Sequence, residues 1–170
     1  DANTGAEGLD IVATAGDVTL AADIGTVTPL AFLTITAGGD IFACGDWTID
    51  DPVTFTSDVY LCDDLTIAAN GDVVFEQTVD GDGVALSTVL TVNTAGLTDF
   101  QGEVGGQTSL TSLVTNAGGT TQLATDVTTT GAQTFGDAVV LTGDVTLTST
   151  LAGDVTFQQT VNDDGSLGTG

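Results

Sequence analysis

The sequence contains no lysine, arginine, histidine or methionine in its 170 residues. Against that absence stand 24 Asp and Glu, giving a formal net charge of −24. A chain without cations cannot neutralise phosphates, which excludes ordinary nucleic-acid binding. Attraction to anionic lipid headgroups is excluded on the same ground. The missing His, Lys and Arg are also the commonest general bases, oxyanion clamps and phosphate ligands, so most routes to catalysis are closed. Aromatics are scarce at 5%. No apolar run approaches the roughly 18 residues that a membrane-spanning helix needs, so direct membrane insertion is not expected. There is no leading Met and no signal-peptide pattern, which reads as a processed chain or a piece of a longer one.

What is present is 41% hydrophobic residues, 23 Gly and 33 Thr. Disordered acidic chains lack Val, Ile and Leu in this abundance, so a folded core is expected. Alternation of Val, Leu or Ile with Thr recurs, as in Leu33-Thr34-Ile35-Thr36 and Val145-Thr146-Leu147-Thr148. That is a period of two, with one face apolar and one polar, and it predicts short strands throughout. No stretch has helical periodicity. Gly-Asp-Val-Thr stands at 16–19, 143–146 and 153–156, with variants at 45–48, 63–66, 71–74 and 125–128. The physics is a turn feeding a strand: Gly accepts positive φ, Asp bonds its own backbone, and β-branched residues extend the chain.

The chain also repeats itself. At an offset of 80, Leu33 falls on Leu113, Ala37-Gly38-Gly39 on Ala117-Gly118-Gly119, and Thr54-Phe55 on Thr134-Phe135. After a two-residue insertion near Ser149-Thr150 the offset becomes 82, and Gly71-Asp72-Val73 falls on Gly153-Asp154-Val155. Two copies of one unit result, 9–88 and 89–170. Short strands with Gly-Asp turns suit either a sandwich or a solenoid. The expected fold is all-β, a parallel right-handed β-helix of about eight rungs forming one continuous solenoid over 1–170. The alternative is two tandem β-sandwich domains of about 80 residues each. The solenoid is favoured because the short motif recurs inside the unit, because aromatics are few, and because Gly and Ala abound where stacked corners would need them.

The segment Val127-Thr-Thr-Thr-Gly-Ala-Gln-Thr-Phe-Gly-Asp-Ala-Val-Val-Leu141 and the segment Gly153-Asp-Val-Thr-Phe-Gln-Gln-Thr-Val161 resemble the repeats of large bacterial surface proteins. These are the filamentous-haemagglutinin-like and autotransporter-passenger adhesins. The resemblance covers nearly the whole chain. It implies a right-handed β-helix, export to the cell surface or extracellular space, and a stalk or adhesive role.

Cys44 and Cys62 each stand two residues before an Asp of the short motif. In-register stacking would put their Cα atoms about 4.8 Å apart, inside the usual disulfide range. Their counterparts are Ala124 and Thr142, so both thiols are missing together from the second unit. A disulfide is expected; a stack of buried free thiols is the plainer alternative.

Asp80 and Asp82, with Asp163 and Asp164 in the second unit, resemble oxygen-rich loops for a hard cation such as calcium. The plainer reading is turn chemistry with solvated carboxylates. Stacked acids at Asp46/Asp64 and Asp126/Asp144 would repel and gain from counter-ions. Asp50-Asp51 and Asp63-Asp64 are nominal carboxylate pairs for a polysaccharide-cleaving β-helix, but both read as turns, and no enzyme is expected. Thr-x-Thr rows at 26–28, 34–36, 54–56 and 146–148 raise ice binding, though their spacing is not one rung. Phe55, Phe75, Phe135 and Phe157 read as internal stacks. The first expectation is thus an extracellular structural repeat segment, a stalk, fibre or adhesin shaft. The second is a calcium- or glycan-binding solenoid. No cofactor is required, calcium being the only candidate. The partners foreseen are further copies or a longer chain, stacked end to end through open edge strands, together with host or matrix glycans.

Overall fold

A computed structural model describes residues 7–165; the ends of the expected solenoid, residues 1–6 and 166–170, lie outside them. Alternating burial shows why the strands form where they do. In β3 (Leu33–Ala37) the apolar Leu33, Ile35 and Ala37 turn inward while Thr34 and Thr36 stay half-covered. Every strand pair is parallel, which removes the sandwich alternative, since sandwiches are built from antiparallel sheets. The protein is a parallel β-solenoid of about seven turns, one fewer than the sequence spacing suggests.

The turns have three sides. The first carries β1 (Leu9–Ala13), β3, β5 (Val53–Phe55), β7 (Val73–Phe75), β10 (Leu97–Phe100), β12 (Thr120–Leu123), β15 (Ala138–Leu141) and β18 (Val161–Asp163). The second begins with β2 (Val18–Ala21). It continues through the leading parts of β4 (Ile41–Ile49) and β6 (Val59–Ala69) and through β8 (Val79–Gly81). Bridges through Val104 then carry it to β13 (Val127–Thr129) and β16 (Leu147–Ser149). The third holds the trailing parts of β4 and β6, then β9 (Val89–Thr94), β11 (Ser112–Thr115), β14 (Gln133–Phe135) and β17 (Val155–Phe157).

Turn length is not constant. Leu33, Val53 and Val73 stack at intervals of 20 residues, but Leu9 sits 24 residues before its partner Leu33, and Val73 sits 25 before Thr98. Part of the difference is looped out. Ile24 and Leu30 bridge to Trp47 and Ile49, two residues apart, so the chain between them leaves the coil. Val104 and Leu110 do the same against Val127 and Thr129. Gly25 and Gly105 open these excursions with φ of 68° and 71°, and a Cβ on either would strike the carbonyl oxygen of Thr48 or Thr128. Only glycine fits both demands.

The repeat is rotated. β3 on the first side corresponds at an offset of 80 to β11 on the third, and β5 to β14 likewise. The trailing part of β4, on the third side, corresponds to β13 on the second. One unit therefore spans three turns and two further sides, about 17–18 Å of rise at the usual strand spacing.

The core is a continuous column. Trp47, Phe55, Phe75 and Phe100 stack at centroid distances of 5.9, 4.7 and 5.0 Å, and all four are buried. Phe135 and Phe157 stack at 5.2 Å. Stacked rings in neighbouring turns add to the area they bury.

Candidate functional site

Corners interrupt the strand ladder and leave backbone N–H groups of the next turn without a carbonyl partner. Aspartates supply the missing acceptors. The Asp17 carboxylate accepts from the Asp40 N–H at 3.0 Å, Asp23 from the Asp46 N–H at 3.0 Å, and Asp72 from the Leu97 N–H at 2.8 Å. Asp58 takes both the N–H and the hydroxyl of Thr78, at 3.1 and 2.9 Å. Asp64 takes the Val89 N–H at 2.9 Å and the Ser87 hydroxyl at 2.7 Å, while Asp126 takes the Thr146 N–H at 2.7 Å. The sequence suggested bonds within each turn's own backbone. The structure shows the carboxylate clamping one coil to the next, a charge-assisted bond stronger than a neutral one.

The expected stacks of acids do not form. Ala43 registers with Leu61, but Gly45 registers with Leu65, so Cys62, Asp63 and Asp64 face Cys44 across a bulge. Asp46 consequently lies beside Thr66, not Asp64, and Asp126 meets Thr146, not Asp144. The extra residues widen a corner and separate the charges. At this bulge Cys44 and Cys62 form a disulfide, with Cα atoms 5.5 Å apart.

The carboxylates considered for calcium are dispersed. Asp80 is fully buried, and its Oδ1 accepts the N–H groups of Gln107 and Thr108, holding down the 105–109 excursion. Its Oδ2 has no partner. Asp82 caps its own loop by accepting from Val84 and Ala85, and Asp163 accepts from Gly165. Asp164 follows in the same terminal loop. Among the described residues no group of three or more His, Cys, Asp or Glu is placed to hold a metal.

The nominal carboxylate pairs lie on corners. Asp50, Asp51, Asp63 and Asp64 are exposed, and Asp63 accepts from the N–H of Asp64. Among the described residues no cavity opens beside them. The threonine rows are short. Thr34 stacks on Thr54, but Val74 follows, and Thr26 and Thr28 ride on the 25–29 excursion. An outward-facing aromatic pair does exist: Phe42 and Tyr60 stack at 5.7 Å. Desolvation raises the pKa of the Tyr60 phenol, and the charges of Asp40, Asp80 and Asp58 raise it further.

Sequence reasoning missed the polar interior of the second unit. Thr121 is buried and its hydroxyl donates to the Asp137 carboxylate at 3.3 Å, while Asp137 also accepts the Gly119 N–H at 2.8 Å. Their counterparts in the first unit are Ile41 and Ser57. Buried Gln133 donates to the carbonyls of Val127 and Thr148 where the first unit has Val53. The signal was available in the alignment of the two units, as polar residues at inward positions.

The two ends of the coil differ from its body. Val155, Phe157 and Val161 on the last described strands are exposed, although the same positions one unit earlier are buried. At the other end Leu9 is exposed as well.

No known protein family, curated protein or solved structure matches this chain. The class that the fold defines is therefore a parallel β-solenoid, compatible with a β-helical repeat region.

Proposed function

We propose that this chain is a structural repeat segment of an extracellular protein, a shaft module of a stalk, fibre or adhesin. The single observation that carries the reading is the turn-to-turn clamp. Corner after corner, a carboxylate bonds into the neighbouring coil, so the chain's surface chemistry is spent on holding the rod together. Stability in such an array is a sum of unit and nearest-neighbour terms, as suits an element whose job is length. The disulfide between Cys44 and Cys62 supports an oxidising compartment. The resemblance to haemagglutinin-like and autotransporter repeats supports the same placement.

The test is antibody access on intact source cells. Labelling of unpermeabilised cells, lost after surface shaving with a protease that cuts at acidic or apolar residues, is the expected result. Labelling only after permeabilisation would sink the extracellular reading.

A second reading is a glycan-binding face. It is favoured by the outward Phe42–Tyr60 stack beside Asp40 and Asp58, since an apolar platform with a few polar groups suits a sugar ring. Glycan-array binding that disappears in Tyr60→Ala would support it; an unreactive array would dismiss it.

A further inference from the structure

We infer that the two ends of the coil are complementary, and that a second copy of this chain stacks head to tail by repeating the contact its own two units already make. The inference rests on the shaft reading above and names that shaft's partner. The warrant is internal. The last strands of the first unit, β7 and β8, are covered by the first strands of the second. The last strands of the second unit, β17 and β18, are copies of β7 and β8. The first strands of the first unit are in turn copies of those that do the covering. The molecule thus contains one instance of the joint and both halves of another.

The exposed surface agrees. Val73, Phe75 and Val79 are each 0% exposed, whereas their copies Val155, Phe157 and Val161 are 39, 39 and 44% exposed. At the opposite end Thr14 is one residue more than the second unit has, so Leu9 and Ile11 answer to Leu90 and Val92. Both of the latter are buried, while Leu9 is 39% exposed. Transferring the internal register gives the pairs of the new joint. Ile67 over Val92 becomes Leu147 over Ile11, and Phe75 over Phe100 becomes Phe157 over Leu20. Val79 against Val104 becomes Val161 against Ile24. These three inward pairs are apolar on apolar, while Ser149 comes over Ala13 and Asp163 takes the buried inward place of Gly81, so the joint between copies is more polar than the internal one. Outside, the Asp72–Leu97 clamp becomes Asp154 accepting the Asp17 N–H of the second copy. Among the described residues no strand lies beyond β1 and β2 at one end or β17 and β18 at the other, and in the joint these edges meet. The opposing force is the net charge of −24 on each copy, so stacking strengthens as salt screens it.

The register gives a test. Val74 pairs with Asp99 across the internal joint, and both are outward positions; their copies at the ends are Thr156 and Thr19. The full chain carrying Thr19→Cys and Thr156→Cys, oxidised in moderate salt, is expected to give a ladder of dimers, trimers and higher oligomers on non-reducing gels. A Thr19→Cys/Asn162→Cys chain, whose thiols lie on different sides of the coil, should give at least tenfold less. Sedimentation velocity of the unmodified chain should show mass rising with concentration and with salt, and Phe157→Asp should abolish the rise. A single monomeric species at every concentration and salt, or equal cross-linking by the two cysteine pairs, would overturn the inference. Neither outcome bears on surface labelling of cells, so the shaft reading stands or falls separately.

Discussion

Phe55 and Phe135 hold the same place in the repeat, yet Phe55 stacks on Phe75 on the first side of the coil and Phe135 stacks on Phe157 on the third. The unit reproduces its own contacts faithfully while turning them about the axis. Side chains that match in sequence therefore never lie above one another. What stacks on a residue is a different part of the same unit, or of its neighbour.

Asp80 shows how much one carboxylate holds. Its Oδ1 anchors two backbone N–H groups of the 105–109 excursion. Asp80→Ala strands both donors and is expected to lose about 2–3 kcal/mol in urea unfolding. Asp80→Asn keeps the acceptor and removes a buried charge whose second oxygen has no partner, so it should be neutral or stabilising. The second unit already has Asn162 at this place.

The Thr121–Asp137 contact predicts a coupled pair. Thr121→Ile alone leaves the Asp137 carboxylate short of a donor in the interior and should cost about 1–3 kcal/mol. Thr121→Ile with Asp137→Ser installs the residues of the first unit, Ile41 and Ser57, and should recover most of the loss. A double-mutant cycle with no coupling energy would count against the contact.

Cys44→Ala with Cys62→Thr likewise gives the first unit the residues of the second. The fold should survive, because Thr142 already occupies this place with its N–H bonded to the Leu123 carbonyl at 2.9 Å. The closed loop has a sequence separation of 18, and opening it should cost about 2–3 kcal/mol on chain-entropy grounds. Chemical denaturation of the variant and of the oxidised parent measures the difference.

Tyr60 is the one tyrosine in the chain, so its ionisation can be followed by ultraviolet absorbance without interference. Desolvation, then the charges of Asp40, Asp80 and Asp58, raise its pKa above the ordinary tyrosine value of 10.0. The native midpoint should exceed that of the urea-unfolded chain. The sign follows from proton binding. Above about pH 10 the folded state keeps a proton that the unfolded state has released, so stability falls as pH rises through that window. Equal midpoints in the folded and unfolded chains would dismiss the shift.

Screening should stabilise the rod. With 24 acids and no cation, the melting temperature is expected to climb with sodium chloride in the presence of chelator. A saturable further rise with micromolar calcium would point to a bound ion; a rise with sodium alone points to diffuse screening.

Much of the fold is legible from the period-two alternation and the Gly-Asp turns. Leu33, Ile35 and Ala37 announce an inward row, and the recurrence of the short motif announces parallel stacking. The register is another matter. It depends on how many residues each corner consumes, and the 25–29 and 105–109 excursions carry no hydropathy signature. An 18-residue spacing suggested Asp46 above Asp64, but the bulge opposite Cys44 moves Thr66 into that place. Sequence similarity reports descent of one unit from another; stacking reports corner length, and the two need not coincide. The same holds for the carboxylates. Aspartate in a turn is readable, but its acceptor role toward the next coil appears only once turns such as Asp58 and Thr78 are brought together.

The rotated repeat governs where anything carried on this rod faces. A patch carried by one unit reappears a third of a revolution around the axis in the next, as treads do on a spiral stair. Three units, about 53 Å of rise, separate two copies of a patch that point the same way. Such a coil presents its repeats in all directions at once. A flat opposing surface would meet only every third unit.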